Sequence, residues 1–151
     1  MAEGITGRFS WETERVLRDA EWYPGRSVAP RRWTSLLAAE GFRVHAAAEE
    51  FLSEFGGLAV DVSGSGLTCA REPFSLYPTS CSGEEDRIAE WGVDLGKHFY
   101  PLGESSRREF FIVMDEDGGI FLMMDRVGAL GVRERGLESL VRGIAPEWLP
   151  E

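Results

Sequence analysis

The run Asp115-Glu116-Asp117-Gly118 sets three carboxylates ahead of a glycine, the residue types from which calcium loops are made. An EF-hand loop needs acids at positions 1, 3 and 5, glycine at 6 and glutamate at 12. Counted from Asp115, position 5 is Gly119, position 6 is Ile120 and position 12 is Arg126, so the pattern fails. The run reads instead as a polar hairpin tip. Zinc needs about four Cys or His ligands at short spacings. His45, Cys69, Cys81 and His98 contain no such pair. No metal and no cofactor are expected, and the two cysteines read as one buried thiol and one loop thiol. Neither a Gly-x-Ser-x-Gly elbow nor a phosphate loop ending in Gly-Lys-Ser/Thr is present. His98 lies in Lys97-His98-Phe99-Tyr100, a setting that suits a hydrogen-bonded packing residue more than a general base. No catalytic residue is assigned. A small hydrolase using carboxylates and His98 stands as the opposing reading.

The acids themselves carry the remaining signal. The chain has 26 acidic and 16 basic residues, a net charge of -10. Residues 1–75 hold eleven acids and eight bases, whereas residues 76–151 hold fifteen acids and eight bases. Such a surface repels nucleic acid, whose binding depends on Lys and Arg neutralising phosphates, and disfavours an anionic membrane. It favours a cationic protein partner. Glu84-Glu85-Asp86 opens a helix, where the dipole favours negative charge. Asp115, Glu116 and Asp117 at the tip have no such internal reason, nor do Asp61 on a strand and Glu104 after a turn. Together, Asp61, Glu84, Glu85, Asp86, Glu104, Asp115, Glu116 and Asp117 are the candidate partner-binding residues. If the tip charges serve only a partner, reversing Asp115 and Asp117 to Lys leaves the melting temperature nearly unchanged.

The elements that position these residues are legible from periodicity. Ser10 caps a helix running to about Ala20, with Val16, Leu17 and Ala20 on one face. After the Pro24-Gly25 turn, Pro30 starts a second helix carrying Trp33, Leu36 and Leu37 inward, ended by Gly41. The stripe Ala47, Ala48, Phe51, Leu52 and Phe55 marks a third, stopped by Gly56-Gly57. Leu58, Val60 and Val62 alternate with Ala59 and Asp61 as in a half-buried strand. Phe74 to Tyr77 is a short strand. Ser82-Gly83-Glu84-Glu85 fits a capping box ahead of a helix lined by Ile88, Trp91, Gly92 and Leu95. Phe110–Met114 and Ile120–Met124 form a hairpin around the acidic tip, and Leu137, Leu140 and Val141 mark a last helix. The fold class is α+β: a mostly antiparallel sheet with helices packed on one face, a single domain over residues 1–151. No apolar run approaches the ~18 residues of a membrane span and no secretory h-region is visible, which points to the cytosol.

Three stretches resemble a known family: Trp22-Tyr23-Pro24-Gly25-Arg26 after the first helix, Ala47 through Phe55-Gly56-Gly57-Leu58, and Tyr100-Pro101-Leu102-Gly103 leading to Asp117-Gly118. The chain is similar to the SUKH superfamily, within it the third subgroup of bacterial immunity proteins, over about residues 9–143. The resemblance implies a SUKH-like α+β fold. It also implies a non-catalytic role in neutralising a cognate toxin, often a nuclease or nucleic-acid deaminase delivered by a competing bacterium. The superfamily also includes interaction scaffolds, so a regulatory scaffold for an endogenous partner is the alternative. It supplies no catalytic residue.

Overall fold

The computed structural model describes residues 4–105 and 109–150. Its helices are α1 (Trp11–Asp19), α2 (Arg31–Ala38), α3 (Ala46–Phe55), α4 (Glu85–Leu95) and α5 (Glu134–Arg142). Its strands are β1 (Ala59–Val60), β2 (Phe74–Ser75), β3 (Tyr100–Ser105), β4 (Phe111–Met114), β5 (Gly119–Met123), β6 (Val127–Val132) and β7 (Glu147–Trp148). The seven strands stand side by side in chain order. Every neighbouring pair is antiparallel. The expected α+β architecture is therefore present. The excursion between β2 and β3, which are direct neighbours, carries a 3-10 turn at Pro78–Cys81 and then α4.

Register assigns the side chains to faces. Met114 pairs with Tyr100 and Ile120, whereas Val113 pairs with Phe121. Paired residues share a face and successive ones alternate. Tyr100, Met114 and Ile120 therefore point one way and Val113 and Phe121 the other. On the first face, α3 lies over β3 and α5 over β5 and β6, with α1 against α5. Gly136 of α5 sits so close to Ile120 that an added Cβ would come within 2.7 Å of the Ile120 Cβ. On the second face Phe121 meets the edge of Phe99, with ring centroids 5.2 Å apart, and Phe99 in turn lies beneath Gly92 of α4. The helices are thus not all on one side: α4 covers the reverse face. The indole of Trp91 fixes it there by donating to the Met124 carbonyl at 3.1 Å.

The helix starts follow local chemistry. The Ser10 hydroxyl accepts from the Thr13 N–H at 3.2 Å, as expected of a cap. The start of α3 uses His45, whose Nδ1 accepts from the Ala48 N–H at 3.1 Å while Nε2 donates to the Met114 carbonyl at 3.0 Å. That ring therefore ties α3 to β4. The apolar stripe of α3 is buried throughout. Its exit at Gly57 requires φ +86°, and a Cβ on Gly56 would collide with Trp33 of α2. The glycine pair is thus needed for both conformation and close approach.

Two local expectations fail. Leu36 is 62% exposed, so only Trp33 and Leu37 of α2 face inward. The capping box does not form. Glu84 is the cap residue of α4 and makes no side-chain cap bond. The Ser82 hydroxyl and Gly83 N–H both donate to Glu40 instead. A carboxylate from the α2–α3 connection has displaced the local partner, and these bonds hold the Glu40 carboxyl below its ordinary range.

Candidate functional site

The candidate acids do not gather in one place. β2 pairs with the Glu104–Ser105 end of β3 and β1 pairs with β2, so Asp61, just past β1, leaves the sheet at that end. The acidic tip follows Met114, which pairs with Tyr100 at the other end of β3. β1 is also three strands from β4, about 14 Å at the usual strand spacing. Glu104 and Glu84 instead lie near Cys81. Burial pushes the Cys81 thiol pKa up, and both carboxylates raise it further. Cys81 donates to the Gly103 carbonyl at 3.4 Å and is a buried packing group, while Cys69 is exposed; both are free.

Asp115 has an internal role that its position in the sequence conceals. It is 5% exposed. Its Oδ1 accepts from the N–H groups of Asp117 at 3.1 Å and Gly119 at 2.8 Å. Its Oδ2 pairs with Lys97 Nζ at 3.2 Å. The carboxylate shapes the turn and anchors the chain leaving α4, so reversing it to Lys would disturb the fold. The premise that both tip carboxylates are exposed fails at Asp115, so its reversal should lower the melting temperature. Glu116 and Asp117 are exposed.

Glu85 and Glu116 do come together. Both line a groove of about 590 Å³ between the α2–α3 connection and α4, with Phe42, Ile88, Gly92, Val93 and Phe99 among its walls. His98 also lines it. Its ring meets His45 edge-on at 5.0 Å between centroids, and among the described residues it hydrogen-bonds to no carboxylate. Tyr100, buried beside Phe42, has its phenol pKa pushed up to about 12 by burial. Among the described residues no group of three or more His, Cys, Asp or Glu is arranged to hold a metal ion. None of their helices is long and apolar enough to cross a membrane.

The outward side of α4 adds Ala89, Glu90, Val93 and Asp94 to the expected Asp86. Asp86, Ala89, Glu90, Val93 and Asp94 are exposed, while Ile88 and Gly92 are buried beneath them. The signal was present in the sequence: acids recur every four residues, and one of them falls in the last helical turn, where carboxylates are unfavourable.

A family model described as SUKH-3 immunity protein matches residues 9–143, a span that includes all five helices and β1 to β6. No curated protein and no solved structure matches the chain.

Proposed function

We propose that this chain, which belongs to the SUKH-3 immunity protein family, neutralises a cognate protein toxin by binding it, without catalysis, in the cytoplasm. Membership gives the immunity role and a toxin as partner. The match over residues 9–143 is the observation that carries the reading. The finer assignment is a nuclease or nucleic-acid deaminase with a cationic surface. An enzyme that engages a polyphosphate backbone needs such a surface, and a chain of net charge -10 complements it. The exposed carboxylates Glu116 and Asp117, with Glu84, Glu85 and Asp86, contribute to that attraction. Asp115 holds the tip that presents two of them.

The test is co-expression with the toxin domain encoded by the neighbouring gene. Growth should be restored and the two proteins should co-purify. Association should be faster than the ~10⁵–10⁶ M⁻¹s⁻¹ of neutral pairs and should slow with added salt. Absence of both rescue and complex would overturn the proposal. Rescue with a salt-independent rate would remove the cationic-toxin assignment and leave the immunity role.

A further inference from the structure

The outer face of α4 is unfavourable for its own helix toward the C-terminal end. Asp86, Glu90 and Asp94 stand at four-residue intervals, so like charges are neighbours along one side. Asp94 lies in the last turn, which holds no base, at the negative end of the helix dipole. None of the three has an ion-pair or hydrogen-bonding side-chain partner among the described residues. Two nearby bases are engaged elsewhere: Arg87 with Glu84 at 3.0 Å and Asp125 at 3.6 Å, and Lys97 with Asp115. Asp86, in the first turn, is favoured by the helix dipole, but folding gives no reason for Glu90 and Asp94.

An apolar feature adjoins them. Val93 is 83% exposed, more than any other large hydrophobic residue described. It forms one lip of the groove whose walls include Phe42, Ile88, Gly92 and Phe99 and whose charged margin includes Glu85 and Glu116. Arg43, also at that margin, has no ion pair among the described residues.

We infer that the outer face of α4 and this groove are the docking surface for the toxin, taking a Lys/Arg-rich segment whose apolar side chain enters the groove beside Val93. The inference rests on the immunity function proposed above. Charge complementarity selects the occupant: the unpaired carboxylates attract a basic segment and repel nucleic acid and anionic membrane. The two features divide the work. Exposed carboxylates accelerate encounter, and the desolvated apolar contact slows release.

The experiment measures association and dissociation of the full chain with the toxin domain encoded by the neighbouring gene, at low and high salt. Val93→Arg should weaken binding about 100-fold, mainly through faster dissociation. The triple variant Asp86→Asn, Glu90→Gln, Asp94→Asn should slow association about tenfold at low salt, and the difference should vanish at high salt. Neutralising Glu49 and Glu50, exposed acids of α3, should change neither rate. Melting curves identify any variant that fails to fold, and the triple variant, confined to exposed residues, keeps the test intact if Val93→Arg does. A wild-type chain that does not bind overturns the proposed function and this surface with it. A wild-type chain that binds while both α4 variants bind equally well overturns the surface alone. So does equal slowing by the α3 pair, which would mean that overall acidity acts rather than this face.

Discussion

Helices α4 and α5 cover opposite faces of the same sheet, and their charges are used in opposite ways. In α5, Glu134 opens the helix and Arg142 closes it, matching the dipole at both ends. Glu138 and Arg142 form an i,i+4 pair at 3.3 Å, Arg142 also reaches Glu12 of α1 at 3.5 Å, and Glu134 holds Arg8 at 2.7 Å. Those charges link α5 to the rest of the fold. In α4 the outer carboxylates repel one another, and one stands at the wrong end. The inner faces are alike: Leu137 and Val141 are fully buried under α5, and Ile88 is 2% exposed under α4. Burial secures both helices, so outer charge is free to serve stability in one and attraction of a partner in the other.

The largest expected effect tests the shared part of that comparison. Leu137→Ala and Ile88→Ala should each destabilise by about 2–5 kcal/mol, since both empty a packed site. Urea denaturation would measure this, and a loss below about 1 kcal/mol for Ile88→Ala would mean that α4 is held loosely.

A second test extends the contrast to α1. Glu14 is buried, with its carboxylate accepting from the Thr6 N–H and hydroxyl at 3.0 Å each and pairing with Arg18 at 3.1 Å. Burial alone would raise its pKa, but the Thr6 and Arg18 hydrogen bonds outweigh it and the net shift is downward. A depressed carboxyl adds stability above the ordinary glutamate range and loses it as pH falls through the folded value. Glu14→Gln should therefore cost about 1–3 kcal/mol at neutral pH. Melting temperatures from pH 7 down to pH 3 should show the wild-type advantage shrinking as acid is added. A constant difference would mean that the charge of Glu14 contributes nothing.

The smallest effect is the sharpest, because its sign changes between the helices. Arg142→Glu removes the favourable charge at the end of α5 and should destabilise by about 1 kcal/mol. Asp94→Arg, at the equivalent place in α4, should stabilise by about 0.3–1 kcal/mol, gaining both the dipole term and a Glu90 partner. Paired thermal melts decide it. A loss of stability with Asp94→Arg would mean that the carboxylate serves the fold after all.

Most of the fold was legible because burial writes a period into the chain. The α3 stripe, the hairpin around residues 115–118 and the Leu137/Val141 side of α5 all follow from spacing. What failed was decided by residues far apart in sequence. Ser82 resembles a capping residue until Glu40, 42 positions earlier, takes its hydroxyl. Asp115 resembles an idle tip carboxylate until the turn's N–H groups and Lys97 close on it. His45 gave no sign of a cap, since imidazole is seldom the acceptor used there. The candidate site is legible only in part, because contiguous acids stand out in a sequence and a four-residue spacing does not. Asp115 and the helix-opening Glu84–Asp86 run have local explanations, whereas Glu90 and Asp94, continuing from Asp86 at four-residue spacing, do not.

The placement of α4 between two adjacent strands bears on how such a protein can change. β2 and β3 are paired neighbours, and the outward side chains of Asp86, Ala89, Glu90, Val93 and Asp94 on α4 form no hydrogen bond or ion pair among the described residues. Its anchors, Ile88, Trp91 and Gly92, point inward. Gly92 lies so close to the Lys97 carbonyl that an added Cβ would stand 2.6 Å from it. Substitutions can therefore accumulate at residues 86, 89, 90, 93 and 94 without altering register or core, while the inward triad stays fixed. One scaffold could thereby follow a changing partner, with specificity diverging across a few solvent-facing positions as the sheet beneath them is inherited intact.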